Sequence, residues 1–277
     1  MWRSGDVARS VGAYERAVAL YRTVNDSTAL GETLCWFSYT LTIAGRLVAA
    51  KSVMEEAGRL LEGANRPRLM ARYFLCTGLV ALMLGDSATA FAHATQAKTL
   101  FQSAGAEHET VVAINNVGVA GWGLGDLDGA IAVFHEGIER ARQLPFETEG
   151  FIGFLWGNLA GVLTERGDLA EALDAARDAL PLLRVEGVHW FFFDVFALRV
   201  ALIGRIEHAA RLAGYSEASF LAQAGATTSP RAPGKARARA RLLKLLHAKL
   251  NPDDLARLLA EGAKLSDDEA CQIALED

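Results

Sequence analysis

Six histidines, His93, His108, His135, His189, His208 and His247, are the side chains here best suited to bind a metal or carry a proton near neutral pH. No two stand at metal-ligand spacing with acids or thiols beside them, and His-Glu-x-x-His is absent. Cys35, Cys76 and Cys271 are isolated and odd in number, without the C-x-x-C spacing of a zinc or redox pair. They read as buried thiols of a reduced, cytoplasmic compartment. No nucleophile elbow is present, nor the Gly-x-x-x-x-Gly-Lys-Ser/Thr loop that cradles phosphates. The expectation is no catalytic residue, no cofactor and no metal, hence a chain that is not an enzyme.

Four other patterns could carry chemistry. Gly118-x-x-Gly121-x-Gly123-x-Gly125 has the outline of a dinucleotide loop, but no strand precedes it and it lies inside a helical pattern. It reads as helix packing. Asn116 and Asn158 each stand nine residues before a glycine, where an amide could touch a ligand. Arg231–Lys249 holds seven Lys or Arg and no acid, a stretch able to bind phosphates. The next segment is acidic at Asp253, Asp254, Glu261, Asp267, Asp268 and Glu269, so pairing within the tail is expected and nucleic acid is not. The aromatic run His189-Trp190-Phe191-Phe192-Phe193 exceeds what one buried helical face needs. Part of it is expected to dock the tail or a partner.

The elements that must position these residues come from a repeat. Gly5, Gly45, Gly85, Gly125, Gly167 and Gly204 recur at intervals of 40, 40, 40, 42 and 37 residues. Five residues after each stands a small side chain: Ser10, Ala50, Ala90, Ala130, Ala172 and Ala209. Another small residue stands twelve after, at Ala17, Ala57, Ala97, Gly137 and Ala179, and a larger one nine after at Tyr14, Met54 and Phe134. Eleven before the glycines the chain is large and apolar (Leu34, Phe74, Ile114, Trp156, Phe193); seven before it is small (Ser38, Gly78, Gly118, Ala160, Ala197). Knob and hole alternate in register, so each unit reads as two antiparallel helices joined at the glycine. A unit of this length cannot bury its apolar face alone, and its copies must stack. The aspartates of Gly5-Asp6, Gly85-Asp86, Gly125-Asp126 and Gly167-Asp168 are placed to cap the second helix, whereas Arg46 and Arg205 are not.

Bulk numbers agree. The 277 residues are 51% apolar with a net charge of −5, which supplies a continuous core and no general attraction to nucleic acid or an anionic membrane. Val188–Gly204 is the most membrane-like stretch, but His189, Asp194 and Arg199 interrupt it. It falls short of the roughly 20 apolar residues of a span, so it reads as a buried solenoid helix. Gly5 should close a first helix whose body is missing, leaving Tyr14, Val18 and Tyr21 exposed; an absent upstream portion or a homodimer through that uncapped end would cover them. Residues 1–221 form the repeat array with an incomplete first repeat, 222–234 a linker rich in Gly, Pro, Ser and Thr, and 235–277 a helical tail. In the tail, Lys235–Leu250 reads as a basic amphipathic helix, Asn251-Pro252 as a cap, and Ser266-Asp267-Asp268-Glu269 as a capping box.

The pattern of large-x-x-apolar-small, then Gly-Asp, then Ala five and twelve later, resembles the tetratricopeptide repeat over about residues 4–215. Ile114–Gly118 through Gly125–Ala130 is the nearest copy and Trp156 through Ala172 the next. The period is about six residues longer than that family's 34 or so. The tail, with Leu259-Ala260-Glu261-Gly262, Leu265-Ser266, Glu269-Ala270 and Ala274-Leu275, resembles the terminal segment of large bacterial regulators. Those join a predicted signalling ATPase and a tetratricopeptide-like array to a LuxR-type or winged-helix DNA-binding domain, or to a class III nucleotide cyclase. The resemblance implies an all-α, right-handed superhelix of antiparallel pairs with a short helical tail. It implies backbone hydrogen bonding for Asn116 and Asn158. It also implies that the first helices line a concave groove, which would present Glu32, Cys35, Tyr39, Arg72, Leu75, Asn115, Trp122, Phe154, Phe191 and Asp194 to a protein or peptide partner. Three readings of function follow: a regulatory scaffold binding such a partner, a sensor of a small-molecule effector, or part of a cyclase whose catalytic domain lies outside this chain.

Overall fold

The computed structural model of the chain describes residues 4–24, 26–144, 149–224 and 231–277. Among the described residues run fourteen α-helices and no strand. They are α1 (Ser4–Val24), α2 (Ser27–Ile43), α3 (Leu47–Leu61), α4 (Pro67–Met83), α5 (Ser87–Ser103), α6 (Glu107–Leu124) and α7 (Leu127–Arg142). Then follow α8 (Glu149–Arg166), α9 (Leu169–Val185), α10 (Phe193–Leu202), α11 (Ile206–Ala224), α12 (Pro233–Lys249), α13 (Pro252–Gly262) and α14 (Asp267–Ala274). Part of the proposed linker, residues 225–230, lies outside the described residues.

Helices α2 to α11 form five antiparallel pairs, each joined at one of the repeat glycines. Gly45, Gly85, Gly125, Gly167 and Gly204 take φ of 71, 89, 86, 106 and 90°, a region that side chains with a Cβ avoid. Gly5 is the exception. Helix α1 runs through it, so no first helix ends there; Val11 and Val18 are buried and Tyr14 stacks on Phe37 at 6.3 Å. Of the face expected to be bare, Tyr21 remains exposed, together with Leu20 and Val24. A second glycine series at the turns between units, Gly63, Gly105 and Gly187, also takes positive φ.

The repeat positions meet as knobs and holes. The Phe134 ring packs so closely on Gly118 that a Cβ there would lie 2.5 Å from it. Gly137 stands likewise under Leu155. Ala50, Ala90, Ala130, Ala172 and Ala209 are all buried, as are Leu34, Ile114 and Phe193. Burying an aromatic such as Phe134 contributes about 1.5–3 kcal/mol, so the register is worth several such terms along the array. The glycine-rich run of residues 118–125 is helix to its last residue, as the packing reading expects.

Each even-numbered helix from α2 to α10 packs against the next even-numbered one, whereas α1, α3, α5, α7 and α9 do not pack on one another in this way. The even-numbered helices therefore form the tight inner wall of the curve. The tail folds back on the array. Helix α12 lies across α6, α8 and α10, while α13 and α14 close the far end against α10 and α11. Leu242, Leu246, Leu258 and Ala274 of the tail share one core with Phe193 and Phe196 of the array. The stretch of residues 188–204 is not one helix: His189–Phe192 is a 3-10 turn, after which α10 begins.

Candidate partner-binding groove

The inner wall divides into an open half and a filled half. In the open half, α2 and α4 hold Glu32, Trp36 and Arg72 together. Arg72 pairs with Glu32 and its guanidinium lies 4.7 Å from the centre of the Trp36 ring. Trp36 is 41% exposed. One turn away Arg68 pairs with Glu109 of α6. Glu32, Arg66, Arg68, Leu69 and Arg72 line an open pocket of about 290 Å³. Tyr39, edge-on to Trp36 at 6.2 Å, and Leu75 of α4, packed against the cluster of Ala71 and Phe101, are half-buried on the same two helices. Cys35 is fully buried, and burial pushes its thiol up to about 12. It presents nothing to a groove, because the large–small alternation turns that register inward.

In the filled half, α12 occupies the wall. A Cβ at Gly234 would overlap the Trp122 indole, which is fully buried beneath it. Trp122 donates its Nε1–H to Glu165 Oε2 at 2.5 Å. Arg237 donates to Glu165 Oε1 at 3.1 Å, to the Trp122 carbonyl at 2.6 Å and to the Gly123 carbonyl at 3.0 Å. Arg241 donates to the Glu165 carbonyl at 3.3 Å. These carbonyls close the last turns of α6 and α8, where a cation is favoured by the helix dipole.

Asp194 sits in the first turn of α10, 2% exposed, where a carboxylate is favoured for the same reason. It accepts from Ser216 at 2.9 Å and Arg239 at 2.7 Å, and pairs with Arg231; Glu217 takes the other arms of both arginines. Removing one partner of such a buried pair costs about 3–5 kcal/mol, so this cluster pins the register of α12. The Lys235 ammonium lies 3.6 Å from the Phe192 ring centre and 6.0 Å from that of Phe191. Desolvation there lowers its pKa to about 7, against the opposing pull of Asp194.

The ten residues anticipated for the groove thus part in two. Glu32, Tyr39, Arg72 and Leu75, with Cys35 beneath, lie at the open half. Trp122, Asp194 and Phe191 face α12, and Phe154 packs on Phe192 at 5.8 Å. Asn115 and Asn158 bond to each other, Asn158 Nδ2 to Asn115 Oδ1 at 2.8 Å, with Asn115 reaching Asn116 at 3.4 Å. This side-chain link between α6 and α8 replaces the backbone bonds expected of Asn116 and Asn158. The basic stretch pairs with acids of the array, not with the acidic tail. Asp267 instead approaches His189 and Tyr215, at 3.2 and 2.6 Å, and Asp268 pairs with Arg184. The aromatic run does dock the tail, through Phe191 and Phe192 against Lys235. Trp36, Arg66, Arg68 and Glu165 were not foreseen. Trp36 was findable, since it stands nine residues before Gly45 as Asn116 and Asn158 do before their glycines.

Among the described residues no three or more His, Cys, Asp or Glu are grouped to hold a metal, and no helix is long and apolar enough to cross a membrane. Residues 157–185, spanning the end of α8 and all of α9, match the family model of the tetratricopeptide repeat. No curated protein matches the chain. Solved structures that share its fold include three of note. BtubC (BKLC) from P. vanneervenii superposes with a TM-score of 0.56 at 16% identity, over 89% of this chain and 94% of its own. A Rap protein complexed with competence and sporulation factor gives 0.61 at 14% identity, over 94% and 72%. A signal transduction ATPase with numerous domains from Pyrococcus horikoshii, which carries a tetratricopeptide repeat sensor, gives 0.60 at 15% identity. There the match covers 93% of this chain and 39% of that protein. The chain has a tetratricopeptide-like solenoid fold.

Proposed function

We propose that this chain is a non-enzymatic regulatory module that takes a protein or peptide segment into the open half of its groove, between α2, α4 and α6. One observation carries the reading: the other half of the same wall already holds a polypeptide helix. A surface that holds one segment by guanidinium–carboxylate pairs, aromatic faces and helix-end carbonyls has the chemistry to hold another. Glu32, Trp36, Arg68 and Arg72 offer that chemistry in the open half, with Tyr39 and Leu75 as its apolar floor. Fold likeness to a Rap protein complexed with its factor, and to a signalling ATPase with a tetratricopeptide repeat sensor, supports placement in a signalling regulator. The isolated thiols and the tail motif extend this to a bacterial, cytoplasmic one. The tail motif extends the proposal to regulators with LuxR-type, winged-helix or cyclase partners.

The test is capture of a partner from the source cell, compared between the wild type and Arg72→Ala or Trp36→Ala. Trp36 is exposed and Arg72, half-buried, lies outside the apolar clusters, so the helical circular dichroism signal should persist while capture falls at least fivefold. Unchanged capture rejects the open half. A sensor of anionic small molecules is the second reading, favoured by Arg66, Arg68 and Arg72 around the 290 Å³ pocket. It predicts a rise in melting temperature with an anionic metabolite, lost in Arg72→Ala.

A further inference from the structure

The filled half of the wall shows what it selects. Three helix ends and three carboxylates converge on α12: the last turns of α6 and α8 offer carbonyls, the first turn of α10 offers Asp194, and Glu165 and Glu217 stand beside them. Arg237 and Arg241 of α12 donate the polar bonds to α6 and α8. Gly234, Ala238, Leu242 and Leu246 recur every fourth residue as its buried stripe, small where the Trp122 indole leaves no room and large further on. Lys235, Arg237, Arg239, Leu243 and Leu245 flank this stripe half-buried, and Arg241, Lys244, His247, Ala248 and Lys249 are exposed.

We infer that this surface, built from Trp122, Glu165, Asp194, Phe191 and Phe192, is a recognition site for an arginine-rich amphipathic helix, and that α12 is its resident, displaceable occupant. The partner class follows from the contacts. It is a helical segment with a small residue over Trp122, an arginine three positions later for the end of α6, and another two beyond that for Asp194, as Gly234, Arg237 and Arg239 are arranged. The inference rests on reading the inner wall as a polypeptide site, but it concerns a different half from the one proposed above. A partner bearing this pattern would free the basic helix and join the two halves into one groove. Arg237, on Glu165 and the α6 carbonyls, holds the start of α12 together with the Asp194 and Glu217 pairs of Arg231 and Arg239, so weakening the Arg237 contacts shifts the balance toward an outside ligand.

The probe is a fluorescein-labelled peptide of residues 231–250, titrated into the full chain and followed by anisotropy. Wild-type protein should bind it weakly, because the tethered copy competes. Arg237→Glu turns the resident helix against Glu165 without altering the wall, and should tighten peptide binding at least tenfold. A reducible staple supplies the opposite arm. A Cβ at position 123 would lie 3.7 Å from the Pro233 Cβ, within disulfide range, and Ser87→Ala clears the hydroxyl that would meet it. In the Gly123→Cys/Pro233→Cys/Ser87→Ala protein, oxidation should abolish peptide binding and reduction restore it. Equal binding by the oxidised and reduced forms would put the peptide elsewhere and overturn the inference. So would no gain in Arg237→Glu, or loss of its cooperative fold, which would make α12 an inseparable part of the core. The open half is judged by partner capture and Arg72, so each reading fails in its own experiment.

Discussion

Asp126 and Asp168 follow equivalent glycines, yet only Asp126 accepts from the backbone of its helix, at Gly129 N and 3.0 Å. Asp168 is drawn to Arg166 instead, an ion pair that a local sequence pattern does not reveal. Asp86 behaves as Asp126 does, through Thr89 N at 3.0 Å, and Arg46 makes no cap bond. Residue chemistry therefore obeys the local rule until a longer side chain competes. Lys235 is the sharper case, because its titration reports on the filled groove. The unfolded chain holds this proton up to its ordinary value of 10.5, and the folded chain releases it near 7. Between those values the unfolded state binds more protons, so this group's contribution to stability improves as pH rises; below 7 both states are charged and the full desolvation cost remains. Lys235→Met removes that cost. Its advantage in urea midpoint over wild type should be largest at pH 6 and shrink by pH 9. A gap independent of pH would mean that Lys235 keeps its ammonium hydrated.

At the scale of elements, the tail motif has a packing explanation. Gly214 of α11 and Gly262 of α13 cross at backbone distance, so that a Cβ at 262 would overlap the Arg211 carbonyl and one at 214 the Leu259 carbonyl. Ser266 and Glu269 complete a capping box, Ala270 and Ala274 are buried, and the buried Arg199 donates to the Ala274 carbonyl at 3.2 Å. Backbone cannot step aside as a side chain can, so Gly262→Ala should cost about 3 kcal/mol, the upper end of overpacking. Thermal denaturation checks this. A loss below about 0.5 kcal/mol would mean that α13 does not approach α11 so closely. Much of this level was legible in sequence. The five interior repeat glycines, the Ala positions after them and the Ser266 box all name backbone geometry that a few residue types satisfy. What was not legible was the partner of each charge. Arg237 and Glu165 stand 72 residues apart, and nothing in their spacing marks them as a pair. Hence the basic helix was matched to its nearest acids along the chain, when space matched it to the wall. The ten groove residues stand on the even-numbered helices, Phe191 in the turn before α10 excepted, but their register does not say that Trp122 and Cys35 are covered.

For the whole molecule, the distribution of core sets the order of opening. A stacked array is stabilised by each unit and its neighbours, so its weakest end frays first. Val11, Val18, Leu30, Leu34, Met54 and Leu61 form a cluster of their own around α1 to α4, with Leu20 and Val24 exposed beside it. A far larger core runs from Leu82 at the end of α4 through α11 and takes in Leu242, Leu258 and Ala274 of the tail. Helix α1 packs chiefly on α2, whereas α10 touches α8, α9, α11, α12 and α14. Apolar burial at about 25 cal/mol per Å² favours the second region by many side chains. Native-state hydrogen exchange should therefore show the slowest amides in α8, α10 and α11, with α1 to α3 opening at a markedly lower free energy. The open half of the groove lies on the softer region, where α2 and α4 can shift at little cost to admit a segment. The filled half lies on the firmer one and needs a competitor to empty it. Equal protection of α2 and α10 would show a single cooperative unit, and binding at the open half would then have to occur without any local rearrangement.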